Sequence, residues 1–302
     1  MRPPILWTEV RLLVPTGWQE LVAETLAEGN ASAAFGRPSL AADEAPEGFE
    51  YVRLFLRDVE DTPQRRARIE ALLAGLPEAT GDEELSRVRL EYRALPHEDW
   101  ANSWRKSWKP FRVLRLAVLP TWSSQRPRPD DVRLTLEPGG AFGSGRHPTT
   151  RTCLKVLQER PIAGARVLDA GSGSGVLSVA ALVLGAERAL GFDVDAHAQA
   201  YAESLAEDND VLERAEFRTG GFECLRDDEL GFDVVLANIY SDVVQQHARA
   251  LERRLRPGGW FAFSGCPRAH EAPTRDAILA AGLALEETRA RGRWLTFVGT
   301  RP

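Results

Sequence analysis

The sequence predicts an α/β protein in which a doubly wound parallel sheet follows a smaller N-terminal α+β domain. From about residue 132, short apolar segments alternate with helical ones, which is typical of a parallel sheet with helices on both faces. Before residue 95 the segments follow the order βαββαβ, which is ferredoxin-like. The 302 residues suit two domains, 1–95 and 132–302, joined by a linker helix and an inter-domain loop at 96–131.

The N-terminal elements follow from hydrophobic periodicity. Residues 7–14 begin with apolar/polar alternation, which predicts a strand, and Pro63 suits the first turn of a helix. We predict strands at 7–14, 31–36, 51–56 and 88–92, and helices near 18–26 and 62–73.

Three tryptophans spaced by four residues share one face of the predicted linker helix: Trp100, Trp104 and Trp108. This stripe packs the helix onto a domain or, with the neighbouring Arg105, Lys106 and Lys109, contacts a partner or nucleic acid. Residues 120–131 contain three prolines and indicate an inter-domain loop.

The C-terminal elements alternate regularly. We predict strands at 166–170, 189–193, around 217, at 232–237, 260–263, 284–290 and 293–299, and helices at 176–186, 196–207, 242–255 and 270–281. The fold class is therefore a seven-stranded Rossmann-like domain.

Charge and cysteine content exclude several classes. The net charge of −6 argues against a cationic nucleic-acid binder. The three cysteines lack CxxC spacing, so neither a zinc site nor a disulfide framework is expected, and no metal is predicted. We see no signal peptide and no membrane-length apolar run, and we expect a cytoplasmic protein.

The strongest motif is the glycine turn after the strand at 166–170. Gly171, Gly173 and Gly175 let the backbone approach a ligand closely, but Val176 breaks the GxGxxG fingerprint of dinucleotide sites. Asp169 would disfavour a pyrophosphate and tolerates an ammonium or sulfonium group. Asp193, at the end of the next strand, can accept hydrogen bonds from both ribose hydroxyls. This combination resembles class I S-adenosylmethionine-dependent methyltransferases; the alternative is a purely structural turn.

Two further segments contribute candidates. Residues 137–150 are rich in small residues and suit a flexible loop over a ligand. Within it, His147 is a general base or a structural residue, while Thr149 and Thr150 can cap the following helix and Thr150 can offer its hydroxyl to the cofactor. Asn238 ends the strand at 232–237, where its side-chain oxygen accepts a hydrogen bond from an attacking amine or the residue merely ends the strand.

Several separated motifs together resemble the ribosomal protein L11 methyltransferase (PrmA) family. They are the segment 141–150, the glycine turn, 237–239, 256–259, 99–111, 120–122, 264–265 and 292–294. Departures from the family pattern are Ser144, Arg146, Arg291 and Arg293; the last two flank Gly292, where the family often has glutamates.

The resemblance implies an N-terminal substrate-recognition domain and a catalytic domain. It implies methylation of the N-terminal α-amino group and lysine ε-amino groups of the ribosomal protein, free or on the large subunit, by a monomer without direct nucleic-acid recognition. It places the following residues at the S-adenosylmethionine: Thr150, Gly171, Gly173, Asp193, Gly221 and Asn238, the last also catalytic. The alternatives are a methyltransferase for another protein or small-molecule amine, and a non-catalytic cofactor-binding ribosome factor.

The negative charge is confined to the first domain. Residues 1–95 hold 11 arginines and no lysine against 17 acidic residues, whereas the rest of the chain is balanced. This distribution favours attraction of a lysine-bearing target to the N-terminal domain, or simply keeps that domain soluble.

Overall fold

A computed structural model describes residues 7–16, 18–19, 21–22, 25–26, 34–35, 45–57, 61–80, 82–95, 110–136, 145 and 147–302. Contacts between Cα atoms divide the chain into two compact units, 1–109 and 110–302. Each unit is described by itself. Among the described residues, no helix is long and apolar enough to cross a membrane.

The first unit contains a four-stranded antiparallel sheet in the order β2-β3-β1-β4, which is the ferredoxin-like order. Its elements are β1 (Trp7–Pro15), β2 (Ala34–Phe35), β3 (Phe49–Arg57), α1 (Pro63–Thr80), a 3-10 helix (Glu83–Arg87) and β4 (Arg89–Leu95). Residues 19, 21, 22, 25 and 26 are also helical. One face of β1, with Val10, Leu12 and Val14, packs into a core with Leu54 and Ile69.

The opposite face of this sheet carries a buried ion pair. Arg53 lies 3.1 Å from Glu9, and the two side chains are 4% and 2% exposed. Arg53 also faces Arg11 across the β1–β3 pairing, and both guanidinium groups lie over the ring of Tyr51.

The second unit begins earlier than expected. Residues 110–131 were predicted to belong to the linker and loop, but their contacts group them with the second unit. β5 (Phe111–Val113) pairs antiparallel with β6 (Leu116–Leu119), which pairs parallel with β7 (Val132–Thr135). The predicted linker helix with its tryptophans lies outside the described residues.

The main sheet has seven strands in the order β10-β9-β8-β11-β12-β14-β13. The five strands from β10 to β12 are parallel, and β14 is antiparallel to both β12 and β13. Its strands are β8 (Arg166–Ala170), β9 (Arg188–Asp193), β10 (Ala215–Thr219), β11 (Phe232–Asn238), β12 (Leu255–Pro267), β13 (Ala284–Arg291) and β14 (Trp294–Thr300). Its helices are α2 (Pro148–Glu159), α3 (Val176–Val183), α4 (Ala196–Glu207), α5 (Ser241–Arg254) and α6 (Glu271–Ala280).

The strand order of the main sheet indicates where a ligand crevice lies. The chain order reverses between β8 and β11, and open α/β sheets bind ligands beyond the carboxyl ends of the strands at such a switch point. The sheet is held by a large apolar core whose biggest fully buried side chains are Phe261, Phe263 and Phe297. The strand ends around the switch point therefore project from a rigid base.

Candidate functional site

The glycine turn joins β8 to α3 at the switch point. Gly171 has a φ of +70°, and a Cβ built on it would lie 2.1 Å from Cγ2 of Ile239. Both facts exclude a side chain, because L-residues rarely adopt this φ and two carbon atoms cannot come so close. The turn therefore packs against Ile239, which follows Asn238 in the chain.

Asp193, the last residue of β9, is held beside the same turn. Its Oδ2 accepts a hydrogen bond from the N–H of Gly173 at 2.8 Å, and its Oδ1 accepts one from the N–H of Asp195 at 3.0 Å. A carboxylate accepts about four hydrogen bonds, so both oxygens retain capacity. The side chain is half-buried, which leaves it able to receive two ribose hydroxyls.

Asn238 and Thr150 meet at the other side of the switch point. Asn238 Nδ2 donates a hydrogen bond to Thr150 Oγ1 at 3.2 Å. Thr150 is 1% exposed on the first turn of α2, whereas Asn238 is half-buried at the end of β11. The structure thus brings together two residues that the sequence predicted separately as cofactor contacts.

The comparisons with known proteins agree with this geometry. A family model described as ribosomal protein L11 methyltransferase (PrmA) matches residues 6–302. The ribosomal protein L11 methyltransferases of Pelobacter propionicus and Geobacter metallireducens are 34% and 35% identical, over 98% and 95% of this chain and 97% and 96% of theirs. The crystal structure of ribosomal protein L11 methylase from Lactobacillus delbrueckii subsp. bulgaricus aligns with a TM-score of 0.59 and 26% identity, covering 64% of this chain and 99% of that chain.

This chain belongs to the ribosomal protein L11 methyltransferase family. Membership confirms the predicted family, the class I methyltransferase fold and S-adenosylmethionine as the cofactor. The individual cofactor-contacting residues stay predictions, which the geometry of the crevice supports.

Asp169 fits a cationic ligand in this family's crevice. The residue is fully buried at the end of β8; its Oδ2 accepts hydrogen bonds from Ser178 N at 3.1 Å and Ser178 Oγ at 2.7 Å. Its Oδ1 has no hydrogen-bond partner among the described residues. Burial raises the pKa of this carboxyl to about 6, although the Ser178 hydrogen bonds oppose the rise. An ammonium or sulfonium group nearby would favour the ionised form of Asp169. This buried carboxylate therefore suits S-adenosylmethionine.

Asp169 was not predicted as a site residue, although its charge within the glycine motif is evident from the sequence. The missing signal was its burial against Ser178, nine residues later along the chain.

His147, and not Thr149 or Thr150, caps α2. Its Nδ1 accepts a hydrogen bond from the N–H of Thr149 and lies 2.6 Å from Thr149 Oγ1. Its ring also packs edge-on against Trp294, with 5.4 Å between centroids. The prediction that Thr149 and Thr150 cap this helix was therefore wrong, because both lie inside its first turn. His147 acts structurally through Nδ1, which is already engaged.

The turn that contains Gly221 adjoins Asp193, and the contact of Gly221 with the cofactor stays a prediction. The N–H of Gly220 donates to the carbonyl of Asp193 at 2.8 Å, so the turn after β10 adjoins the end of β9. The Gly221 N–H itself donates to Glu223 Oε1 at 2.7 Å, and backbone hydrogen bonds lower the pKa of the Glu223 carboxyl.

An aromatic pair follows the turn that contains Gly221. Phe222 stacks on His247 with 4.0 Å between centroids, and it meets Phe192 edge-on at 5.2 Å. Sequence reasoning did not identify this pair. Among the residues that the structure describes, no group of three or more histidines, cysteines or acidic residues could hold a metal.

Proposed function

We propose that this chain transfers methyl groups from S-adenosylmethionine to the N-terminal α-amino group and lysine ε-amino groups of ribosomal protein L11. The observation that carries the proposal is the hydrogen bond from Asn238 Nδ2 to Thr150 Oγ1. It uses the amide nitrogen as a donor, which leaves Oδ1 as the acceptor at the strand end. An acceptor in that place suits a substrate that presents an N–H group.

The reaction requires the protein mainly to position the substrate amine and the cofactor. S-adenosylmethionine supplies an activated methyl group on a sulfonium centre, so the protein contributes alignment more than chemical activation. Asn238 Oδ1 accepts a hydrogen bond from the substrate nitrogen and directs its lone pair towards the methyl carbon. Thr150 fixes the amide plane, and the contact between Gly171 and Ile239 fixes the backbone that carries Asn238.

The attacking amine must be neutral, because an ammonium group has no lone pair. Near the crevice, His147 Nδ1 is engaged by Thr149, and one oxygen of the Asp169 carboxyl is engaged by Ser178. We infer that the proton leaves to water and that desolvation in the crevice lowers the pKa of the substrate amine.

Recognition of the protein substrate is assigned to residues 1–95 and catalysis to the second unit. The excess of acidic residues in 1–95 supports this assignment, since it attracts a lysine-bearing target. We propose that the protein acts as a monomer in the cytoplasm and has no direct nucleic-acid recognition.

The deciding experiment supplies the purified protein with cofactor labelled on its methyl group and with total ribosomal proteins, and locates the label by mass spectrometry. Label on the α-amine and lysines of L11 supports the proposal. Label only on another protein or a small amine overturns the substrate. Cofactor binding without any transfer favours a non-catalytic ribosome factor. The control is Asp193→Ala, which should transfer no label at low cofactor concentration.

A further inference from the structure

The rim of the crevice is formed by the start of α2 and the β13–β14 hairpin, which pack on each other. Asn238 pairs with Ser264 of β12, and three residues further along β12 Pro267 pairs with Trp294. Because β12 is bulged between Ser264 and Cys266, the same span is two residues along β14, from Thr296 to Trp294, so the start of β14 lies roughly 7 Å beyond the end of β11 at about 3.3 Å per residue. The tip therefore lies at the carboxyl edge of the sheet, where the substrate must enter.

Arg151 lies on this rim, where the start of α2 makes a positive charge electrostatically unfavourable. It follows Thr150 in the first turn of α2, a turn without acidic residues, where the helix dipole disfavours positive charge. Its Nη2 donates to the carbonyl of Arg112 at 3.0 Å, and its guanidinium lies 5.2 Å from the centroid of the Phe111 ring. Its Nε is buried and has no hydrogen-bond partner among the described residues.

Arg291 adds a second positive charge. It is exposed at the end of β13, directly opposite Trp294. Burial, and after it the charge of Arg291, lower the pKa of the Arg151 guanidinium. Within the described part of the chain, neither arginine has a carboxylate within 4 Å.

At the other end of α2, in contrast to Arg151 and Arg291, two arginines are paired with carboxylates. Arg289, two residues before Arg291 on the same strand, is paired with Glu159 and, at 2.7 Å, with Glu287. Arg160 is paired with Glu286 at 2.7 Å. Near the end of α2, Arg160 and Arg289 are thus neutralised, whereas Arg151 and Arg291 lie at the crevice without a paired carboxylate among the described residues. A residue that breaks a local rule, here a cation in the first turn of a helix without a paired carboxylate, is expected mainly at functional sites.

We propose that Arg151 and Arg291 bind a carboxylate of the protein substrate, an Asp or Glu side chain close to the amine that is methylated. The inference rests on the proposed function and deepens it by naming a specificity determinant. A purely basic segment is repelled by these two cations, whereas a segment with an acidic neighbour is held by charge-assisted hydrogen bonds. The pair therefore selects among the amines of one substrate protein.

The test measures methylation kinetics with ribosomal protein L11 from the same organism. The variants are Arg151→Gln and Arg291→Gln, and the matched control is Arg289→Gln, which removes a cation that already has two carboxylate partners. Loss of one charged hydrogen bond raises the KM for the protein substrate about tenfold with kcat unchanged. The control changes KM less than twofold. Thermal unfolding verifies that all variants fold.

The substrate is changed in parallel, with its acidic residues replaced one at a time by the corresponding amides. One replacement should raise KM as much as Arg291→Gln does and add nothing when combined with it. If Arg291→Gln behaves like Arg289→Gln, or no acidic residue of the substrate is coupled to it, the proposal is wrong. If coupling appears only to added ribosomal RNA, the anion is a phosphate and the proposal also fails.

A binding measurement separates this proposal from the proposed function. Acetylated pentaglutamate amide is titrated calorimetrically into the full-length protein. We expect the doubly substituted Arg151→Gln/Arg291→Gln protein to bind it at least tenfold more weakly than Arg289→Gln does. Equal binding overturns the carboxylate site even if methylation occurs. A wild-type protein that methylates no L11 overturns the proposed function, whatever the titration shows.

Discussion

Asn238 and Thr150, 88 residues apart in sequence, are joined by a hydrogen bond of 3.2 Å between Nδ2 and Oγ1. The bond connects the end of β11 to the first turn of α2, so it couples the two segments that flank the crevice. It also determines which atom of the Asn238 amide faces a substrate, since the amide cannot donate and accept through the same atom.

Thr150→Val should reduce kcat about fivefold. The substitution keeps the buried shape but removes the acceptor, so the Asn238 amide loses its fixed orientation, and a neutral hydrogen bond contributes about 1 kcal/mol. The matched control is Thr152→Val, because Thr152 is also buried on α2 and its hydroxyl only donates back to the carbonyl of Pro148. Steady-state kinetics at saturating cofactor compare the two, and equal effects would contradict the orientation role.

Asp193→Asn should weaken cofactor binding about 100-fold, since charge-assisted hydrogen bonds to two hydroxyls contribute about 1.5–3 kcal/mol each. Asn keeps the size of the side chain and one acceptor for the Gly173 N–H. The control is Asp195→Asn, because that neighbour accepts from the N–H of His197 as the cap of α4, a role that Asn also fills. Isothermal titration with S-adenosylmethionine measures both. An affinity of Asp193→Asn equal to that of Asp195→Asn would show that the ribose assignment is wrong.

Asp169 should make the cofactor-free protein less stable as the pH rises. Its pKa is raised from 3.8 to about 6 in the folded protein, so the unfolded chain releases this proton more readily. Between about pH 4 and pH 6 the contribution of Asp169 to the free energy of unfolding therefore falls, by about 3 kcal/mol in total, and then stays level.

Asp169→Asn removes this titration. Denaturant unfolding from pH 4.5 to 7.5 should show the variant gaining stability relative to the wild type as the pH approaches 6. A difference that does not depend on pH would contradict the raised pKa. The same variant should bind S-adenosylmethionine more weakly, since it lacks the anionic oxygen.

The rate of methyl transfer should rise with pH towards the pKa of the substrate amine. The reason is that only the neutral amine attacks and that the proton leaves to water. Single-turnover rates with saturating protein substrate, measured between pH 6.5 and 10, test this expectation. A flat profile for a step shown to be limited by chemistry would require a dedicated base and reject the proposed route.

The sequence predicted the strands of the main sheet well, because each is an apolar run bounded by polar turns. It missed β5, β6 and β7, since the tryptophan-rich segment before β5 and the prolines between β6 and β7 favoured a linker. It ended α1 near residue 73, whereas the helix continues through Pro77 to Thr80. A proline lacks the N–H group that an interior helical position donates, so the sequence pattern does not favour a further turn after Pro77.

Within the candidate site, the residues of single motifs were predictable and the pairings were not. Glycine spacing and the acidic strand end were sufficient to make Gly171 and Asp193 candidates, and their contacts with the cofactor stay predictions. The cap of α2 was predicted wrongly, although a local signal existed: a proline at the first helical position makes the preceding His147 the capping residue. The pairing of Asn238 with Thr150 depends on tertiary structure, and no local pattern encodes it.

Gly171→Ala should abolish most activity through its effect on Ile239. The added Cβ would lie 2.1 Å from Ile239 Cγ2, so the backbone beside Asn238 must shift. Gly164→Ala is the matched control, since Gly164 has a similar φ of +72° but nothing within 4 Å of its Cβ. Both variants carry a backbone strain of about 1–2 kcal/mol, and the difference between them isolates the clash.

The double variant Gly171→Ala/Ile239→Ala removes Cγ2 and should recover part of the lost kcat but none of the stability lost to strain. Kinetics and thermal unfolding of the wild type, Gly171→Ala, Gly164→Ala and the double variant separate the effect of the clash from the effect of the strain. If the double variant is no more active than Gly171→Ala, the glycine serves the cofactor directly and not the placement of Asn238.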